Sequence, residues 1–279
     1  TAATSPFETS GSGTHYLKSD SNFRAAGTTS IAYELLNSLK TKTTQPPIVF
    51  PRFMNLTGEL TFFPQAPRYV SGAPDLGYHY DTLDFTAAAM FLMGGRLTIH
   101  PGTVVGFRQE QTPDEHIYGL WPWWWTGFGV ELWEGASLVC NGTPGQPVRF
   151  TDVQLVQERD AWAAWALFVP WFVPDAINSP PPEVNCRFTH FHSAQGQFHF
   201  WSGWTEDWHK ISDNSTVNLR LQDCNLYGGI LNLGKSVDYM YPEQSCAVTW
   251  MNTLFDQVSI NVDPQWLDLE GPWSPVDIH

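Results

Sequence analysis

Val148-Arg149-Phe150-Thr151-Asp152-Val153 is the stretch whose reading decides the fold. It returns, more loosely each time, as Cys186-Arg187-Phe188-Thr189-His190-Phe191, Leu219-Arg220-Leu221-Gln222-Asp223-Cys224 and Val248-Thr249-Trp250-Met251-Asn252-Thr253. Apolar side chains hold the first and third places of each copy. A polar Asp152, His190, Asp223 or Asn252 holds the fifth. Recurrence at roughly 30–40 residues is the mark of stacked supersecondary units. Apolar–polar–apolar alternation has period two and predicts strands.

A second strand pattern follows each later copy: Phe198-x-Phe200, Leu231-x-Leu233 and Ile260-x-Val262. Gly196, Gly228 and Gly229 lie between the two strands, where the chain must turn. Strand–turn–strand coils that bury their inward side chains on neighbouring coils make a solenoid, a parallel β-helix. Two placements follow. Phe150, Phe188, Leu221 and Trp250 should form one internal column. Asp152, His190, Asp223 and Asn252 should form a ladder of turn residues at one corner, bonding local backbone.

Composition narrows the function classes. With 14 Lys+Arg against 28 Asp+Glu, the net charge is −14. That argues against nucleic acid and anionic membrane surfaces, which need a basic face. Only 15% of residues are charged, while Trp numbers 14, a neutral-polar, aromatic-rich balance suited to the outside of a cell. No apolar run reaches the length of a transmembrane helix. The chain opens Thr1-Ala2-Ala3-Thr4 and reads as a processed product or a piece of a longer one. Cys140, Cys186, Cys224 and Cys246 suit two disulfides, with the connectivity left open. Their spacing does not suit zinc. Asn55, Asn141 and Asn214 head Asn-x-Ser/Thr sites.

Three regions are expected: an N-terminal segment over 1–89, a parallel β-helix over 90–263, and a Pro/Trp-rich tail or cap over 264–279. Ile31–Lys40 has helical spacing, with Thr29 or Ser30 available as a cap. So short a helix must pack on something. Ile48–Phe50 and Leu60–Phe63 read as strands. Long excursions between coils carry Trp121, Trp123, Trp124 and Trp125, then Trp162, Trp165 and Trp171, then Trp201, Trp204 and Trp208. These rings suit a protein interface or stacking on sugars, and a β-helix can also bury them on its own flank.

At Leu97-Thr98-Ile99-x-Pro-Gly-Thr-Val104, and again from Gly135 to Thr151, the sequence resembles bacterial secreted right-handed parallel β-helix proteins of the pectate-lyase-like type. Around His15-Tyr16-Leu17, Arg24–Thr29 and Asp75–Tyr80 it resembles segments of large surface proteins from planctomycete- and verrucomicrobia-like bacteria. The resemblance implies a mainly β, right-handed parallel β-helix with a short N-terminal helix and long aromatic-rich loops. It also implies a bacterial extracellular or cell-surface location. The fold carries lyases, hydrolases, adhesins and inert fibres alike.

The lyases of that fold use Ca²⁺ and an Arg base, and the hydrolases use paired carboxylates. The only catalytic candidates are Asp152, His190 and Asp223. Residues three apart on a strand face opposite ways, so Arg149, Arg187 and Arg220 do not join them. Asp75, His79 and Asp81 are the metal candidates, against a simpler reading as a hydrogen-bonded turn. No cofactor motif is present, and Ca²⁺ is the one cation the resemblance brings. Two functions remain open. One is a structural subunit or repeat block of a surface fibre, sheath or filament that self-associates head to tail into a homopolymer or tandem array. The alternative is a protein that binds or cleaves polysaccharide.

Overall fold

The computed structural model describes residues 5–69, 71–108, 128–158, 166–170, 180–201, 216–232 and 245–261. The protein is mainly β and is dominated by three parallel sheets. Sheet I stacks Glu59–Phe62, Arg96–Ile99, Ser137–Asn141, Glu183–Arg187, Thr216–Gln222 and Ser245–Met251. Sheet II stacks Ile48–Val49, Phe85–Ala87, Val104–Phe107, Val148–Asp152, Thr189–His192, Asn225–Tyr227 and Leu254–Asp256. Sheet III stacks Asn55–Leu56, Met90–Leu92, Phe128–Leu132, Ala166–Pro170, Phe198–Trp201, Ile230–Asn232 and Ser259–Asn261. The chain visits II, III and I in strict rotation, so each turn adds one strand to every sheet, as a solenoid requires. The first turn starts at Ile48, well before the expected start at 90.

Inward side chains of all three sheets meet in one continuous apolar core. Sheet II supplies the clearest column: Phe85, Val105, Phe150, Phe191, Leu226 and Phe255 are successive register partners. The Phe150 and Phe191 rings stack with centroids 5.6 Å apart, and Phe168 of sheet III meets both edge-on. Stacking on one side and edge contact on the other suits the ring quadrupole.

The expected column of Phe150, Phe188, Leu221 and Trp250 does not exist. Leu221 and Trp250 do stand in one column, below Ile99, Cys140 and Cys186 of sheet I. Phe150 belongs to sheet II, and Phe188 is a corner residue with φ +45°. Arg-Phe-Thr occurs twice in different structural places: at 149–151 it is a strand, and at 187–189 it rounds the corner from sheet I to sheet II.

The first turn is preceded by an antiparallel hairpin, Phe7–Ser10 with Gly13–Leu17. The helix is Tyr33–Ser38, continued by a 3₁₀ turn over Leu39–Thr41. It has no side-chain N-cap, so neither Thr29 nor Ser30 caps it. Its apolar face is mostly uncovered: Leu39 is buried, while Tyr33 and Leu35 are exposed.

Candidate functional site

In the last three coils the corner between sheets I and II turns on one residue in the left-handed region: Phe188, Asp223 (φ +53°) and Asn252 (φ +47°). Asn and Asp tolerate that region because their short polar side chains bond locally, whereas a Phe there is strained. The corner stacks like the strands. Phe188 N–H donates to the Gln222 carbonyl (3.1 Å), and Asp223 N–H donates to the Met251 carbonyl (2.9 Å). Asn252 Nδ2 donates to Asp223 Oδ1 at 2.7 Å. That amide, with Arg187 3.6 Å away, holds the Asp223 carboxyl below its ordinary range.

The expected four-rung ladder is therefore half right. Asp223 and Asn252 are neighbouring rungs, but Phe188 fills the rung expected for His190. Asp152 ends a sheet II strand, fully buried, and its Oδ2 accepts the Ala194 N–H (2.6 Å). The three catalytic candidates thus occupy a buried strand end, an open sheet face and a corner. No two of them share a hydrogen bond among the described residues.

His190 sits on the outer face of sheet II, where two columns run side by side. One is Val104, Arg149, His190, Asn225 and Leu254; the other is Thr86, Gly106, Thr151, His192, Tyr227 and Asp256. The His192 and Tyr227 rings stack at 4.6 Å. Asn225 Nδ2 donates to His190 Nε2 (3.2 Å) and to the Tyr227 hydroxyl (3.1 Å). Burial, then Arg149, pushes the His190 pKa down, and the same two causes, joined by His190 and His199, take His192 to about 4. Both rings are neutral at pH 7.

The metal candidates do not converge. The Asp75 carboxylate is taken by the Ala25 N–H (2.7 Å), the Thr44 hydroxyl and Arg24 (3.4 Å). His79 Nε2 bonds the Asp75 backbone carbonyl at 3.0 Å. Asp81 pairs with Lys42 across a short antiparallel bridge, at 2.8 Å. These are the contacts of a hydrogen-bonded turn. No group of three or more His, Cys, Asp or Glu among the described residues could hold a metal ion.

Cys140, Cys186 and Cys224 are free, buried thiols, which corrects the expectation of two disulfides for these three. Cys140 and Cys186 are register partners in parallel strands. Both side chains enter the same core column, and the two thiols lie close enough to share a side-chain hydrogen bond without being joined. Burial raises the Cys186 thiol pKa and lifts Cys224 to about 12, so neither is a nucleophile. The Cys246 side chain lies outside the described residues.

Two polar clusters carried no motif in the sequence. Asp84, fully buried, accepts the Gln65, Ala66 and Val104 N–H groups (2.8, 2.9 and 2.7 Å) and pairs with Arg68 at 2.9 Å. Glu158 accepts from Thr14 N–H (2.8 Å), Thr14 Oγ1 (2.6 Å), the Tyr80 hydroxyl (2.6 Å) and His15 Nδ1 (2.7 Å). Burial raises the Glu158 pKa, but these bonds outweigh it and bring the carboxyl to about 2. Gln157 adds bonds to Ser12 N–H and the Tyr16 hydroxyl, so this pair clasps the N-terminal hairpin to the stack. Ser12, Thr14, His15 and Tyr16 lie more than 140 residues earlier in the chain and Tyr80 lies 78 residues earlier, which is why no spacing announces them.

Of the ten Trp residues expected at an interface or on sugars, Trp201 ends a sheet III strand, and its side chain lies outside the described residues. Trp121, Trp123, Trp124, Trp125, Trp162, Trp165, Trp171, Trp204 and Trp208 lie outside them altogether, as does the tail over 264–279. No helix among the described residues is long and apolar enough to cross a membrane. Comparison with family models, with curated proteins and with solved structures finds no match to this chain.

Proposed function

We propose that this chain is a right-handed parallel β-helix that serves as a structural subunit or repeat block of a bacterial surface fibre, sheath or filament. The right hand follows from the strong preference of parallel crossovers for that sense. One observation carries the assembly reading: the first and last turns among the described residues are unsaturated. Ile48 has the inward register of the sheet II core column, yet it is 47% exposed. At the far end Ile260 has the inward register of Leu231, yet it is 43% exposed.

Open strand edges with exposed apolar side chains are what a neighbouring coil covers. The two ends differ, so an end-to-end contact is heterologous and extends without closing. The extracellular setting is supported by the charge balance and Trp content. The polysaccharide alternative draws nothing from Asp152, His190 and Asp223, which are apart. Sedimentation velocity across a wide concentration range, with negative-stain images at the upper end, tests the assembly. Chains of particles that lengthen with concentration are expected. Monomers throughout would end the reading.

A further inference from the structure

We propose that the outer face of sheet II around Arg149, His192 and Tyr227 binds the oxyanion of a ligand, a carboxylate, sulfate or phosphate group. This is a function separate from end-to-end assembly. The face is bounded by a step. One coil before Arg149, its register partner Val104 is buried with Leu83 and Val153 in a small apolar cluster lying over the sheet. Beyond that step Arg149, His190, His192, Asn225 and Tyr227 are polar and half-buried.

The face is rich in donors. Arg149 forms no hydrogen bond or ion pair with the described residues, although the chain carries twice as many acidic as basic groups. Asn225 spends its amide protons on His190 Nε2 and the Tyr227 oxygen. His190 therefore carries its proton on Nδ1, and the Tyr227 O–H is free to donate outward. His192 Nε2 is buried with no hydrogen-bond partner. Buried polar atoms in folded chains are normally satisfied, so an unsatisfied one near a guanidinium that pairs with none of the described residues points to a missing ligand. Asp256 is the acidic group of these columns, one coil past Tyr227. It sets the anion at the Arg149 end, three coils away.

The test uses the whole chain with isotope-labelled histidines. Imidazole NMR signals are followed while acetate, sulfate, inorganic phosphate or chloride is added at constant ionic strength. The expected result is a saturable shift of His190 and His192 with at least one oxyanion and none with chloride. A response to acetate alone assigns a carboxylate ligand, and one to sulfate or phosphate an ester or inorganic anion. Arg149→Gln should weaken the response at least tenfold, with Arg149→Lys between the two. Tyr227→Phe, which keeps the ring stack, should weaken it severalfold and serves if the Arg149 variants do not fold. Shifts that grow linearly and alike with all four salts overturn the proposal. So does a saturable shift unchanged in the folded variants.

Discussion

Ile48 and Ile260 stand in the first and last turns among the described residues, each turned inward by its register and each nearly half exposed. On the proposed assembly these two exposed core positions belong to two different end surfaces. This gives end-to-end association a signature that symmetric dimerisation lacks. Ile48→Asp should remain monomeric alone, and so should Ile260→Asp, because each contact needs one intact end of each kind. Mixed together, the two variants should form a dimer and nothing larger. Light scattering on the mixture decides it; dimers of either variant alone would indicate a two-fold contact.

Phe150 and Phe188 look alike in sequence and should behave oppositely. Phe150 is buried between Phe107, Phe168 and Phe191, so Phe150→Ala should cost about 3–5 kcal/mol. Phe188 is a half-buried corner residue with φ +45° and its ring under Arg187. In Phe188→Gly, relief of the left-handed strain offsets the lost ring contact, leaving stability within about 1 kcal/mol of the parent. Denaturant melts of both variants check the assignment of columns.

That contrast marks what was legible in the sequence. Period-two alternation and glycine turns revealed parallel coils, and Gly228 and Gly229 do turn the chain, with φ +64° and +61°. The phase was not legible. Matching letters aligned Arg149-Phe150-Thr151 with Arg187-Phe188-Thr189, yet Phe150 pairs with Phe191. A corner of one residue leaves so little punctuation that a strand of sheet I runs into the next strand of sheet II. Letter similarity then slides across the join. Asp152 and His190 entered the ladder for the same reason. The Asp84, Glu158 and sheet II clusters were invisible because their partners come from other elements: the 65–68 loop and Val104 for Asp84, the N-terminal hairpin and Tyr80 for Glu158, and neighbouring coils for sheet II.

Asp84 gathers three backbone N–H groups and Arg68 with its carboxylate fully buried. Asp84→Ala strands Arg68 and those donors. The loss should be about 3–5 kcal/mol, the usual cost of breaking a buried pair. Arg68→Met should cost less, because the backbone donors still satisfy the carboxylate. Thermal melts of the two variants give the order, and an equal cost would mean the ion pair alone holds the loop.

The hairpin clasp should respond to strong acid. Glu158 is held near pKa 2 against an ordinary value of 4.5. Its stabilising contribution is complete above about pH 4.5 and disappears as pH falls through about 2. Glu158→Gln should mimic the acid state at neutral pH, since an amide cannot accept from Thr14, His15 and Tyr80 together. Amide exchange in Gly13–Leu17 should then quicken in the variant while sheet II stays protected. Equal exchange in both proteins would mean the hairpin is held by its apolar contacts alone.

Milder acid should act on the stack itself. Burial, the largest cause in each, takes His192 and His199 to about 4, and the His199 Nε2 contact with the Gly228 carbonyl at 2.7 Å only partly opposes it. In the unfolded chain both titrate near 6.5. Between those values the unfolded state holds more protons, so stability should be level above about pH 6.5 and fall steadily toward pH 4. His199→Gln removes one of these titrations, leaving those of His192 and His190. It should be less stable at pH 7, for want of a good bond to Gly228, yet lose less on acidification. Urea midpoints between pH 7.5 and 4 test this. Parallel curves for parent and variant would show that His199 does not become protonated when the stack opens.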